Sequence, residues 1–156
     1  MAAALFRHAL DAQDEPLKSL KVSSAGISAY AGQSANPNSV EALRKVGINL
    51  GNHESQPLDR NKADRALAYF GMTDSHLAMM NLQIDPPPTN AFLMRQFIEG
   101  ETDLQIPDPF GLSLSHYEAS RDSMVEAIPS LVEAVKILYQ KELEQTNQDR
   151  EVKAEE

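Results

Sequence analysis

From Tyr117 onward, apolar residues return at helical spacing: Met124, Ile128, Leu131, Val135 and Leu138 lie on one face of a long helix. A stripe of that length must be covered, and the rest of the chain has to supply the cover. Upstream, short apolar runs alternate with helical ones. LKVSSAG (20–26) reads as a short strand with Leu20 and Val22 on one side. DRNKADRALAYFGMT reads as a helical turn followed by a strand over 67–72. AFLMRQFI reads as a strand, or a strand and a turn. Between them lie Ala2 to Ala12, with Leu5, Phe6, Ala9 and Leu10 on one face, and DSHLAMM, with Asp74 as its cap. The best-marked helix is capped by Asn36, carries Pro37 at its first position, buries Val40, Leu43 and Val46, and stops at Gly47.

Strands alternating with helices predict an α/β domain: a three-layer α/β/α sandwich around a small, mostly parallel sheet. Ligands in such folds bind at the carboxyl ends of the strands. The domain is read as residues 1–140, followed by a charged tail, 141–156, whose composition predicts fraying or disorder. Pro129 should kink or interrupt the terminal helix. Met72, Met79 and Met80 read as core filling.

Charge and cysteine content remove several functions. The chain has 14 Lys and Arg against 23 Asp and Glu, a net charge of −9, and no basic run, so it is a poor holder of nucleic acid. It has no cysteine, which excludes disulfides, thiolate metal sites and a thiol nucleophile. His8, His76 and His116 have no partners at metal-ligand spacing, so no metal or organic cofactor is expected. MAAALF is too short for a signal sequence, and no stretch approaches the roughly 20 apolar residues of a membrane span. No membrane partner is expected, and a cytoplasmic location follows as the default.

Several stretches, in order, carry a resemblance: SSAGISAYAGQSANPNSVEALRKVGINL with GNHESQPL, then MTDSHL, then IPDPFGLSLSHYEASRD, all preceded by ALFRHAL. Together they resemble the low-molecular-weight protein-tyrosine phosphatase family, which includes bacterial protein-arginine phosphatases. The resemblance implies hydrolysis of phosphotyrosine or phosphoarginine in proteins, or of small phosphomonoesters, through a phospho-cysteine intermediate. A Cys-x-x-x-x-x-Arg-Ser loop at a helix N-terminus cradles the phosphate in that family, where backbone N–H groups and the helix dipole favour an anion.

Carried over by position, Asp108 of IPDPFG matches the general acid that protonates the leaving atom and then activates water. Taken alone it would read as a turn aspartate between prolines. Phe110 matches an aromatic pocket wall that can cover a ring or a guanidinium, and reads equally as a core phenylalanine. Tyr30 lies near a second aromatic wall and reads equally as a surface tyrosine. Ser24 and His53 match residues that hydrogen-bond beneath the phosphate loop and support it, although His53 alone would read as a loop histidine.

The family places an interior strand and the Cys-to-Arg loop ahead of the segment that begins here at Met1. The nucleophile, the phosphate-binding arginine and that first strand are therefore missing from this chain. A buried strand carries several large apolar side chains at about 2 kcal/mol each, and ladder bonds at about 1 kcal/mol each. Together these rival a domain's whole net stability of about 5–15 kcal/mol, so the chain should fold poorly or leave a gap. The resemblance implies coding sequence upstream of Met1; a truncated, catalytically dead pseudo-phosphatase acting as a binding module is the alternative. Arsenate reduction, found among relatives of the family, needs redox cysteines that this chain lacks.

Overall fold

The computed structural model describes residues 1–63 and 65–155. In chain order the elements are α1 (Ala2–Asp11), a 3-10 turn (Leu17–Ser19), α2 (Pro37–Arg44), α3 (Arg60–Ala63), β1 (Tyr69–Gly71), α4 (Asp74–Gln83), β2 (Ala91–Leu93) and α5 (Leu114–Glu155). β1 and β2 pair in parallel, Tyr69 opposite Ala91 and Gly71 opposite Leu93.

Side-chain alternation along β1 divides the molecule into layers. Phe70 points toward α1 and α5 and joins the main core with Leu5, Phe6, Leu10, Met124 and Leu131. Tyr69 and Ala91 point the other way, against Met80 and Ile84 at the end of α4. Phe70 stacks on its cross-strand partner Phe92 at 6.2 Å between centroids and meets Phe6 and Phe97 edge-on at 6.5 and 6.4 Å. α2 then packs on α5: Arg121 Nη1 donates to the Ala42 carbonyl at 2.9 Å, and Lys45 pairs with Glu118.

Helix ends follow local chemistry. The Asn36 side chain accepts from the Asn38 N–H at 2.9 Å, and Pro37 opens α2. At its far end the Ile48 N–H reaches back to Leu43 and the Gly47 N–H to Arg44, both at 3.0 Å. Gly47 adopts φ +80°, the left-handed conformation that this closure requires. Because the helix ends at Arg44, Val46 falls in the turn and is exposed; Ala42 takes its place beside Leu43 in the core. Thr73, not Asp74, occupies the cap position of α4, and Asp74 is its first helical residue. Met80 is buried, but Met79 is exposed.

The terminal helix departs from expectation at both its proline and its tail. Pro129 lies inside α5 without ending it. Pro129 denies the Val125 carbonyl an N–H partner, and both residues are exposed, so water can take that place. The segment read as a frayed tail continues as helix through Glu155. Its Glu, Lys, Gln and Arg are good helix formers, and no Gly or Pro interrupts them.

The largest difference is at 20–26. Only Gly26 makes a bridge there, to Pro57, and the rest joins no ladder. Arg7 fixes the start of this segment, donating to the Lys18 carbonyl at 2.9 Å and to that of Leu20. Between this segment and β1 lies a cleft of about 680 Å3, floored by Phe6, Leu10, Met124, Leu131 and Val135. The expected strand at 20–26 joins no ladder: this cleft separates it from β1. The Met1 ammonium forms part of the cleft wall, and burial lowers its pKa.

Leu43 is fully buried and lies outside the cleft. Leu43→Ala should lower the unfolding free energy by about 2–5 kcal/mol in urea denaturation. Leu82→Ala, at a position 80% exposed, should change it by less than about 0.5 kcal/mol.

Candidate functional site

The loop carrying Asp108 is held residue by residue. Gln105 Oε1 accepts from the Asp74 N–H at 3.4 Å, where α4 begins. The Ile106 N–H donates to the Met72 carbonyl at 2.8 Å, just past the end of β1, and the Ile106 side chain is buried. The Pro107 carbonyl accepts from Ser120 Oγ of α5 at 3.3 Å. Asp108 Oδ1 then accepts from the Phe110 N–H at 3.0 Å, closing a short side-chain-to-backbone turn. Pro107 and Pro109 fix φ on either side. The result is an exposed carboxylate aimed from the carboxyl end of β1, where open α/β sheets bind ligands.

Phe110 belongs to the same turn and is 77% exposed, which rules out the core reading. Tyr30 is also 77% exposed, on the loop that leads into α2. Ser55 shapes that loop: its Oγ donates to the Tyr30 carbonyl at 2.5 Å and accepts from the Gln33 N–H at 3.0 Å. Asn38 Nδ2 donates to the Leu112 carbonyl at 3.4 Å, which sets the entrance of α2 beside the Asp108 loop. No ring contact joins Tyr30 to Phe110; the aromatic pairs of the described residues are among Phe6, Phe70, Phe92 and Phe97.

Ser24 and His53 do not meet. Ser24 lines the cleft, and its carbonyl accepts from Gln56 Nε2 at 2.8 Å. His53 is half-buried, and its backbone N–H closes a turn onto the Leu50 carbonyl at 3.1 Å. No hydrogen bond joins their side chains. Among the described residues, no group of three or more His, Cys, Asp or Glu is placed to hold a metal ion.

Arg95 is the residue that sequence reading missed. It is 6% exposed, and its guanidinium is nearly saturated with acceptors. Nε donates to the Asp103 carbonyl at 2.9 Å, and Nη1 to Ser123 Oγ at 2.9 Å and Glu126 Oε2 at 2.6 Å. Nη2 meets Glu101. The other Glu101 oxygen accepts from the Thr102 and Asp103 N–H groups, both at 2.8 Å. This cluster clamps 101–103 to α5, immediately before the loop that presents Asp108. The signal was one charge inside the apolar run AFLMRQFI, because a buried arginine requires partners.

The Asp103 and Thr102 N–H groups, followed by Arg95, hold the Glu101 carboxyl below its ordinary value of 4.5. A carboxylate lowered in the folded state contributes stability above its unfolded pKa and loses it as pH falls through the folded value. Glu101→Gln should therefore lower the urea midpoint at pH 7. The gap to the parent chain should close as pH drops through and below the ordinary carboxylate range; a gap constant down to pH 3 would contradict the clamp.

Comparison with known proteins bears on family and fold. The sequence profile of the low molecular weight phosphotyrosine protein phosphatases matches residues 1–143. A protein-arginine-phosphatase of Geobacillus stearothermophilus is 32% identical over 133 residues, covering 85% of this chain and 84% of the relative. A probable low molecular weight protein-tyrosine-phosphatase, EpsP of Ralstonia nicotianae, is 27% identical over 139 residues, 88% of each. The solved YwlE arginine phosphatase of Geobacillus stearothermophilus superimposes with a TM-score of 0.74 at 30% identity, covering 90% of this chain and 86% of that one. The chain belongs to the low molecular weight phosphotyrosine protein phosphatase family.

Proposed function

We propose that this chain supplies the acid/base half of a protein phosphatase site, acting on phosphoarginine before phosphotyrosine. Asp108 protonates the leaving nitrogen or oxygen and then takes a proton from water. Phe110 and Tyr30 wall the approach, and Ser24 and His53 stand where a phosphate loop would rest. The domain that does this is residues 1–140, with 141–156 outside it, and it works in the cytoplasm on phosphorylated proteins. The anchored loop carries this reading: four consecutive residues, 105–108, are each tied by a hydrogen bond, and the last presents a carboxylate. The choice of phosphoarginine leans on the relative named as a protein-arginine-phosphatase, which is more similar than EpsP.

The chain contains no cysteine, so a phospho-cysteine route is closed to it as it stands. Loss of a covalent nucleophile lowers a rate by about 10⁶-fold. A second reading, binding of phosphorylated protein without turnover, is favoured by the exposure of Tyr30 and Phe110, whose faces can meet a guanidinium.

The chain alone should hydrolyse p-nitrophenyl phosphate no faster than buffer. Fusing a strand and a Cys-x-x-x-x-x-Arg-Ser loop of the family's form ahead of Met1 should confer turnover. Asp108→Asn in that fusion should lower kcat by about 10²–10⁴-fold. Turnover by the chain alone that Asp108→Ala abolishes, or a fusion indifferent to Asp108→Asn, would refute the assignment. Saturable binding of a phosphoarginine peptide by the chain alone would favour the second reading.

A further inference from the structure

Two consecutive carbonyls at the end of β1 begin two parallel routes to α5. The Gly71 carbonyl accepts from the Met94 N–H at 3.0 Å, and the next residue, Arg95, reaches α5 at Ser123 and Glu126. The Met72 carbonyl accepts from the Ile106 N–H at 2.8 Å, and the next residue, Pro107, reaches α5 at Ser120. Ser120 and Ser123 stand about one helical turn apart. Met94, Arg95, Ile106 and Ser120 are all buried.

The routes differ in strength. The Pro107 carbonyl meets α5 through one neutral bond at 3.3 Å, longer than the usual O–H···O range. Arg95 Nη1 donates to Ser123 Oγ at 2.9 Å, to the Ser123 carbonyl at 3.2 Å and to Glu126 Oε2 at 2.6 Å. Its other nitrogens hold the Asp103 carbonyl and Glu101 on the opposite side. Charge-assisted bonds are roughly twice as strong as neutral ones, and burial of Arg95 keeps water from competing for them. Met124, Ala127 and Leu131 also press α5 onto the core. Apolar contact is non-directional, however, and leaves the register of the helix open. The Arg95 route therefore sets that register at the turn carrying Ser120. Asp108 lies just beyond Pro107, on the weaker route, and its bond to the Phe110 N–H fixes the carboxylate only within its own turn.

We infer that Arg95 is a positioning residue for Asp108, because it holds α5 at the separation from β1 that Ile106 and Pro107 span. Its consequence for turnover rests on the reading of Asp108 as the proton donor; the geometry does not. Charge alone does not suffice at this position. The acceptors lie on two sides, residues 101–103 on one and α5 on the other. A guanidinium fork meets both at once, whereas a lysine offers three donors on a single atom.

The test compares isotope-labelled variants of the chain alone by NMR. Arg95→Met should lose the Overhauser contacts between Pro107 and Ser120 and speed amide exchange at Ile106 by at least about tenfold. Arg95→Lys, which keeps the charge and is the milder variant where Arg95→Met does not fold, should also lose those contacts. Leu17→Ala removes core packing at the 3-10 turn, apart from both routes, and should keep them despite its lower stability. Contacts intact in a folded Arg95→Lys or Arg95→Met chain, or lost equally in Leu17→Ala, would overturn the inference. In the fusion bearing a Cys-x-x-x-x-x-Arg-Ser loop, Arg95→Lys should lower kcat by about 10- to 100-fold with KM nearly unchanged. On an Asp108→Asn background the same change should have little further effect. An equal fall on both backgrounds would show that Arg95 does not act through Asp108 and would overturn the inference as well. A fusion indifferent to Asp108→Asn would remove the proton-donor reading alone, and the Pro107–Ser120 contacts would still decide whether Arg95 positions the loop.

Discussion

Backbone hydrogen bonding is the constraint on which this structure turns. β1 is three residues long, and its outward edge faces a cleft where a neighbour would normally complete the sheet. Buried backbone groups are almost always paired, so an open edge beside an apolar floor is costly and specific. The segment 20–26 runs alongside without joining a ladder, held instead by Arg7 at one end and by the Gln56 and Leu58 bonds at the other. α1, α5 and β1 keep their places around the cleft because their other faces pack on one another, with Phe70, Phe92, Phe97 and Phe6 at the centre.

The Asp108 loop depends less on that cleft than its position suggests. Its anchors reach Met72 at the end of β1, which also lines the cleft, and beyond it the start of α4 and the first turns of α5. The Arg95 cluster adds a second hold on α5 just upstream. An aspartate meant to deliver a proton must keep its geometry within a narrow range. In this chain the hydrogen bonds of residues 105–108 fix the geometry that the proposed acid would need.

Much of this was legible in the sequence where local chemistry is strong. The Asn36 cap, the Pro37 start and the Gly47 stop appear as read, and Met124, Leu131 and Val135 form the buried stripe of α5. IPDPFG pointed to a stiff turn, and the structure has one, with Asp108 exposed. Illegible parts depend on partners distant in sequence. LKVSSAG has strand composition, but a strand exists only when a neighbour pairs with it. Arg95 gave one charge in an apolar run, yet its acceptors at 101, 103, 123 and 126 come together only on folding. Pro129 does not interrupt α5, because its cost depends on exposure, which composition does not reveal.

The central claim is that β1 is paired on one edge and open on the other. Native-state hydrogen exchange across β1 in the chain alone tests this most directly, residue by residue. The account predicts slow exchange at Tyr69 and Gly71, which donate to β2, and fast exchange at Phe70 between them. If Phe70 exchanges as slowly as its two neighbours, the edge is already covered and the account is contradicted.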